Sequence, residues 1–339
     1  MKKIAKLGVL MIPFINNFII LDFYIYPKIY KDSGYGMVFY FIVGLVLTCL
    51  LSTIVRNYSF NPIRIIRKNK IVKSFFLFYL IIMIILGLSF SSVALTSIFY
   101  LYETPFKFVI MLLVISLFML NIKITTLVNV SAILALVGIP LIFYNTISHL
   151  YMIDFNSISY ISSNLEIVDV GLICFIILDT FMYSLIIPYF QERTKQGLTI
   201  GTIFYFIFEG VEALILVLML GTSLKEYYGF GYFLYSIEPV TGIIGNFDFV
   251  YIFMISFSAI FKLSFSINVI KLFYYEKKKI VFSLVYPIIT ITSYFICKYF
   301  YLVDDYIYYI LLGIAFFLVS ILIYLRRVDH GYSEANSIS

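Results

Sequence analysis

Long apolar runs, separated by short clusters of charged or turn-forming residues, follow one another along most of the chain. A transmembrane helix needs roughly 20 mostly apolar residues, and ten runs reach or approach that length. The predicted spans are Leu7–Tyr26, Met37–Val55, Val72–Leu101, Phe106–Leu120, Leu127–Ile147, Val168–Phe190, Thr199–Leu220, Phe247–Phe273, Ile280–Cys297 and Tyr306–Leu325. This pattern predicts an all-α polytopic membrane protein with ten transmembrane helices.

Composition agrees with that interpretation and the positions of the basic residues orient it. The chain is 63% hydrophobic and 12% charged, whereas a soluble domain is about 25% charged. With the N-terminus inside, 18 of the 24 Lys and Arg residues fall in cytoplasmic segments, five fall outside and one, Lys262, falls within a span. Cytoplasmic loops of membrane proteins carry this excess of positive charge. We therefore expect one transmembrane domain over residues 1–327 with both termini cytoplasmic, and a short disordered tail over 328–339.

Several classes of function are not indicated. The net charge of +6 comes from residues scattered between spans, so the expected partner is the lipid bilayer and no nucleic acid is implied. The cysteines Cys49, Cys174 and Cys297 have no paired spacing, which argues against a disulfide framework or a zinc site. No phosphate-binding loop or hydrolase motif is present. We expect neither an enzyme nor a cofactor or metal.

The eighth span contains the most informative residue, Lys262. A lysine at the centre of a membrane helix costs about 2.5–3.5 kcal/mol on insertion scales, so it is expected to face other helices or water. Ser258 and Ser266 lie four residues to either side and share its helix face. The alternative is a lysine whose long side chain reaches the membrane surface. A polar stripe within the membrane is the preferred interpretation.

Two other spans carry polar groups near a proline. The first holds Asn16, Asn17 and Asp22 after Pro13, and the sixth holds Asp179, Thr180, Tyr183 and Ser184 before Pro188. These spans are five apart, and interrupted helices at matching positions of two halves indicate an inverted repeat with a site at mid-membrane depth. Ordinary proline kinks are the alternative. We place a candidate ligand site at Asn16, Asn17, Asp22, Asp179, Tyr183, Ser258, Lys262 and Ser266.

The seventh span holds two further acids, Glu209 and Glu212, which share a helix face because they are three residues apart. Two carboxylates in apolar surroundings repel each other, so a proton or a cation is expected beside them. Lys262 can neutralise only one of the four candidate acids Asp22, Asp179, Glu209 and Glu212, and the sequence does not say which one. Glu209 and Glu212 are therefore candidates for an ion or proton pathway.

The segment that begins at Tyr235 carries a resemblance to a known family. It leads from Gly245, Asn246, Phe247 and Asp248 into a span with Phe261, Lys262 and Ser264. This arrangement resembles the signature of the B-subunit permeases of spore-germination receptors. Shorter matches are Tyr26-Pro27, Glu103-Thr104-Pro105 and the region from Asp154 to Ile161, so the likeness extends over nearly the whole chain.

The resemblance implies a fold and a function. The family belongs to the amino acid/polyamine/organocation transporter superfamily, whose fold is a LeuT-like 5+5 inverted repeat with discontinuous helices 1 and 6. It implies a germinant-receptor subunit in the spore inner membrane that senses a small nutrient, such as an amino acid, together with an A subunit and a lipoprotein C subunit. The family's glycine break in the first span is replaced here by Ile20 and Asp22, and Asp22 would repel a carboxylate.

Three functions follow as expectations. The first is a transporter-like receptor subunit that binds a nutrient and triggers germination. The second is an active proton- or cation-coupled amino acid permease, and the third is a scaffold subunit that binds no ligand.

Overall fold

The computed structural model describes residues 6–34, 36–55, 62–100, 102–119, 122–153, 155, 166–186, 195–221, 248–273 and 278–338. All regular secondary structure within these ranges is helical. The α-helices are α1 (Lys6–Ile20), α2 (Tyr26–Ser33), α3 (Gly36–Ile54), α4 (Pro62–Lys68), α5 (Lys70–Ala94), α6 (Pro105–Met119), α7 (Ile124–Ser148), α8 (Ile167–Phe181), α9 (Tyr183–Ile186), α10 (Lys195–Leu220), α11 (Asp248–Phe273), α12 (Lys278–Lys298) and α13 (Phe300–Ile338). Short π-helical segments at Leu21–Ile25 and Leu95–Phe99 and a 3-10 turn at Leu150–Met152 complete them.

Among the described residues, eight helices are long and apolar enough to cross a membrane. Two shorter apolar helices, Pro105–Phe118 and Val285–Lys298, coincide with the fourth and ninth predicted spans. Large apolar side chains such as Phe78 and Phe316 are exposed on the outer helix faces, where a soluble protein would carry polar groups. The chain is therefore a multi-pass membrane protein.

The first span lies at the centre of the helix bundle. In Leu7–Ser33, 94% of the apolar 18-residue window is buried, compared with 33% in Gly36–Ile54. Helix α1 packs against α5, α7, α8, α10 and α11. This position shields Asn16, Asn17 and Asp22 from lipid, where polar groups without partners are costly.

The two predicted helix breaks take different forms. The first span continues as a helix through Pro13, and its irregularity comes later, where Leu21–Ile25 form the π-helical segment between α1 and α2. In the sixth span, a one-residue turn at Met182 separates α8 from α9, but Met182 keeps right-handed helical backbone angles and its N–H still donates to the Leu178 oxygen. The first span is thus a continuous helix with a local change of helix type, and not the broken helix that was expected. Pro188 lies outside the described residues.

Helix contacts recur with an offset of five spans. The first span packs on the fifth (α1 on α7), as the sixth packs on the tenth (α8 on α13). The first packs on the seventh (α1 on α10), as the sixth packs on the second (α8 on α3). The fourth packs on the eighth (α6 on α11), as the ninth packs on the third (α12 on α5).

The C-terminal end differs from the expectation of a disordered tail over 328–339. Helix α13 continues past Arg327 to Ile338 without interruption. This segment contains no proline that would end a helix, and it extends the preceding span by several turns.

Two stretches that carry part of the family resemblance fall outside the described residues. These stretches are 156–165 and 222–247, which include most of the region from Asp154 to Ile161 and the residues Gly245, Asn246 and Phe247.

Close packing between α1 and α10 depends on Gly201. A Cβ atom at this position would lie 2.2 Å from the backbone oxygen of Leu10, whereas a Cβ at Gly313 would meet nothing within 4 Å. We expect Gly201→Ala to lower the free energy of unfolding by about 1–3 kcal/mol, because the helices must move apart. Thermal unfolding in detergent measures the effect.

Gly313→Ala is the matched control. Its stability is expected to stay equal to that of the wild type or to rise slightly, because alanine favours the helix. Equal stability of the two variants would contradict the packing of α1 on α10.

Candidate functional site

Lys262 is paired with Asp179 inside the bundle. The Lys262 Nζ atom lies 2.8 Å from Asp179 Oδ2, and each side chain is 2% exposed. The pair joins α11 to α8. It identifies Asp179 as the partner of Lys262, which the sequence did not determine. Because both charges are shielded from lipid and water, each depends on the other.

Asp179 accepts hydrogen bonds from three helices. Asn16 Nδ2 donates to Asp179 Oδ2 at 2.6 Å, and the Tyr79 hydroxyl donates to Oδ1. Lys262 is the third donor. Charge-assisted hydrogen bonds of this kind are stronger than those between neutral groups. Helices α1, α5, α8 and α11 therefore contact one another through a single carboxylate. Tyr79 was not predicted, because a tyrosine within an apolar run carries no signal of its own.

Asn16 and Asn17 link α1 to the irregular part of the sixth span. Asn16 accepts a hydrogen bond from the Tyr183 hydroxyl through its Oδ1, and its backbone oxygen accepts from Lys262 Nζ at 3.2 Å. Asn17 Nδ2 donates to Thr180 Oγ1 at 2.7 Å. Both asparagines predicted for the site therefore belong to this network.

The serines next to Lys262 share its helix face, as their spacing predicts. Ser258 Oγ donates to the backbone oxygen of Ile15 at 2.6 Å, which ties α11 to α1. Ser266 is buried and lines the same cavity as Lys262.

A small cavity adjoins the ion pair. Its polar lining comes from Asn16, Tyr79, Asp179, Tyr183, Lys262 and Ser266, and Met182 lies in its wall. The cavity measures about 10 Å³, which is room for one water molecule. Sites for small ligands are typically about 300–1,000 Å³, so this conformation is closed to an amino acid.

Asp22 lies in a second polar group, with Glu209 and Glu212. All three carboxylates are buried, and Asp22 acts electrostatically on both glutamates. Tyr251 donates a hydrogen bond to Asp22 Oδ2, and Tyr26 donates one to Glu209 Oε2 at 3.1 Å. Asp22 was predicted in one site with Lys262; it accepts its hydrogen bond from Tyr251 and acts electrostatically on the acids of α10.

Comparison with known protein families finds no family that matches the chain, and a search of curated proteins finds no match. Within the described residues, no three His, Cys, Asp or Glu side chains are placed to hold a metal ion together.

Removal of Lys262 is expected to leave Asp179 as an uncompensated buried charge. We expect Lys262→Met to lower the free energy of unfolding by about 3–5 kcal/mol. The double variant Lys262→Met/Asp179→Asn is expected to recover most of this loss, because the amide carries no charge. Unfolding in detergent is the measurement.

Lys107→Met is the control. This lysine pairs with Glu103 but is 67% exposed, so its removal is expected to change stability by less than about 1 kcal/mol. A Lys262→Met variant as stable as the wild type would contradict the buried pair.

Proposed function

We propose that this chain is the transporter-like membrane subunit of a spore germinant receptor. In this proposal it binds a small nutrient, an amino acid, beside Lys262 and Asp179. The observation that carries the proposal is the buried ion pair, bound to Asn16 at the meeting point of the first, sixth and eighth spans. Ionisable groups within membrane spans are rare and mark substrate or ion sites by default.

The chemistry of the pair suits a zwitterion. Buried ion pairs contribute little net stability compared with well-packed apolar residues, so stability alone is a weak reason to keep one. An amino acid carries one carboxylate and one ammonium group. Lys262 and Asp179 carry the same two kinds of charge and neutralise each other in this conformation. In the proposed complex, the carboxylate of the amino acid pairs with Lys262 and its ammonium group pairs with Asp179.

The helix arrangement supports a LeuT-like 5+5 inverted repeat. Three kinds of helix contact recur with an offset of five spans. The first span has a π-helical segment and the sixth has a one-residue turn, and irregular helices at matching positions of two halves favour this class of transporter fold. The site lies where the two proposed repeats meet.

The receptor role itself rests on the sequence resemblance. It supplies the proposed partners, an A subunit and a lipoprotein C subunit, and the proposed location in the spore inner membrane. A nutrient can signal to those partners only if it binds two conformations with different affinity. The closed cavity at Lys262 supplies one such conformation, and an open one would admit the ligand.

The buried acids favour a second candidate, an active proton- or cation-coupled amino acid permease. Asp22, Glu209 and Glu212 lie near one another within the membrane spans, as coupling groups of transporters do.

Binding of radiolabelled amino acids to the purified chain tests the site. We expect saturable binding by the wild type and by Lys107→Met, and at least a tenfold loss of affinity in the folded double variant Lys262→Met/Asp179→Asn. Unchanged affinity in the double variant would refute the site, and absence of binding in the wild type would favour a scaffold.

Two further measurements separate receptor from permease. Saturable, gradient-driven uptake into proteoliposomes would support the permease. Spores that lack the gene are expected to lose the response to at least one nutrient, and a normal response to every nutrient would refute the receptor role.

A further inference from the structure

We propose that Asp22, Glu209 and Glu212 form a buried proton-binding site, in which the folded protein holds at least one proton among three carboxyl groups. This inference does not depend on whether the chain is a receptor subunit or a permease. The three residues are called the acid trio below.

The acid trio is assembled by two spans. Glu209 and Glu212 lie three residues apart on one face of α10, and Asp22 lies in the π-helical segment of the first span. Tyr26, four residues after Asp22 in the same span, donates a hydrogen bond to Glu209 Oε2 at 3.1 Å, so the two spans lie side by side at this level. Segments of π-helix within longer helices are frequently found at functional sites.

Within the described part of the chain, no basic side chain balances the charge of Glu209 and Glu212. Among the described residues, no ion pair reaches Glu209 or Glu212, and Lys262 is occupied by Asp179. Across the described ranges, the groups that act on the two glutamates are carboxylates and the Tyr26 hydroxyl, and none comes from α3 or α8, which also pack on α10. Several ionised carboxylates in one apolar environment repel strongly and lose their hydration.

Binding of a proton reduces the excess negative charge and, unlike binding of a larger ion, needs no cavity. A proton from water joins one carboxylate oxygen, so the charge of the acid trio becomes less negative by one. The new O–H group can then donate a hydrogen bond to a neighbouring carboxylate. Two carboxylates that share a proton are the usual result of such crowding.

Tyr205 provides an independent indication. Its side chain is fully buried, and its hydroxyl has no hydrogen-bond partner among the described residues. It lies one helical turn before Glu209 and interacts electrostatically with all three acids. Buried hydroxyls without a partner are rare and call for an explanation. A hydroxyl in this place can donate to a carboxylate when the proton leaves.

The arrangement favours a proton over a metal ion. The described residues contain no group of three acids, histidines or cysteines placed to hold a metal. Tyr26 and Tyr251 hydroxyls already donate to Glu209 and Asp22. These hydroxyls occupy oxygens that a metal cation would need, and each stabilises the ionised form of the carboxylate that it contacts.

Infrared spectroscopy of the full chain in detergent tests the proposal directly. We expect the carbonyl band of a protonated carboxyl group at neutral pH, which shifts in D₂O and is lost in Glu209→Gln/Glu212→Gln. Glu103→Gln, a change at an exposed acid, is expected to keep the band. A band that the double variant retains would overturn the proposal.

The pH dependence of unfolding gives a second test. A folded state that binds more protons than the unfolded state loses stability as pH rises, by about tenfold in the folding equilibrium constant per pH unit for each proton. The double Gln variant is expected to lack this loss and to be more stable than the wild type at high pH. If the double variant does not fold, Glu212→Gln alone is expected to reduce the loss.

Salt substitution distinguishes a proton from a metal cation. At constant pH, we expect equal stability in sodium, potassium and N-methylglucamine chloride. A specific stabilisation by sodium or potassium that the double Gln variant lacks would overturn the proposal.

Discussion

The structure depends on one buried ion pair between Lys262 and Asp179. In a bilayer there is no water to solvate either group, so each must have its partners inside the protein. Asn16 and Tyr79 supply further hydrogen bonds to the carboxylate, and α1, α5, α8 and α11 are thereby brought to one point. The helix order around this point follows from the need to shield these charges.

The first span carries two polar groups of opposite character. Around Asn16 the charges are balanced by the pair, whereas Asp22, six residues later, is bound by Tyr251 and acts electrostatically on the two glutamates of α10. The same helix therefore contacts one neutral network and one acidic cluster. Its central position meets both needs, since only a helix surrounded by others can present polar groups in several directions within a membrane.

The turn at Met182 lies in the wall of the cavity beside the pair. The described cavity is too small for a nutrient, so the segment from Thr180 to Tyr183 and its contacts with α1 are the elements nearest to any opening. Their hydrogen bonds to Asn16 and Asn17 hold the closed arrangement.

The sequence by itself determined the class of protein, because membrane insertion requires apolar length and loop charge that can be counted along the chain. It also indicated that Lys262 needs a partner and that Glu209 shares a face with Glu212, since both follow from local spacing. Only the tertiary structure decided that the partner is Asp179, that Tyr79 belongs to the network and that Asp22 lies with the glutamates. Those pairings join residues far apart in sequence, and they are fixed by which helices pack together, which no local pattern encodes.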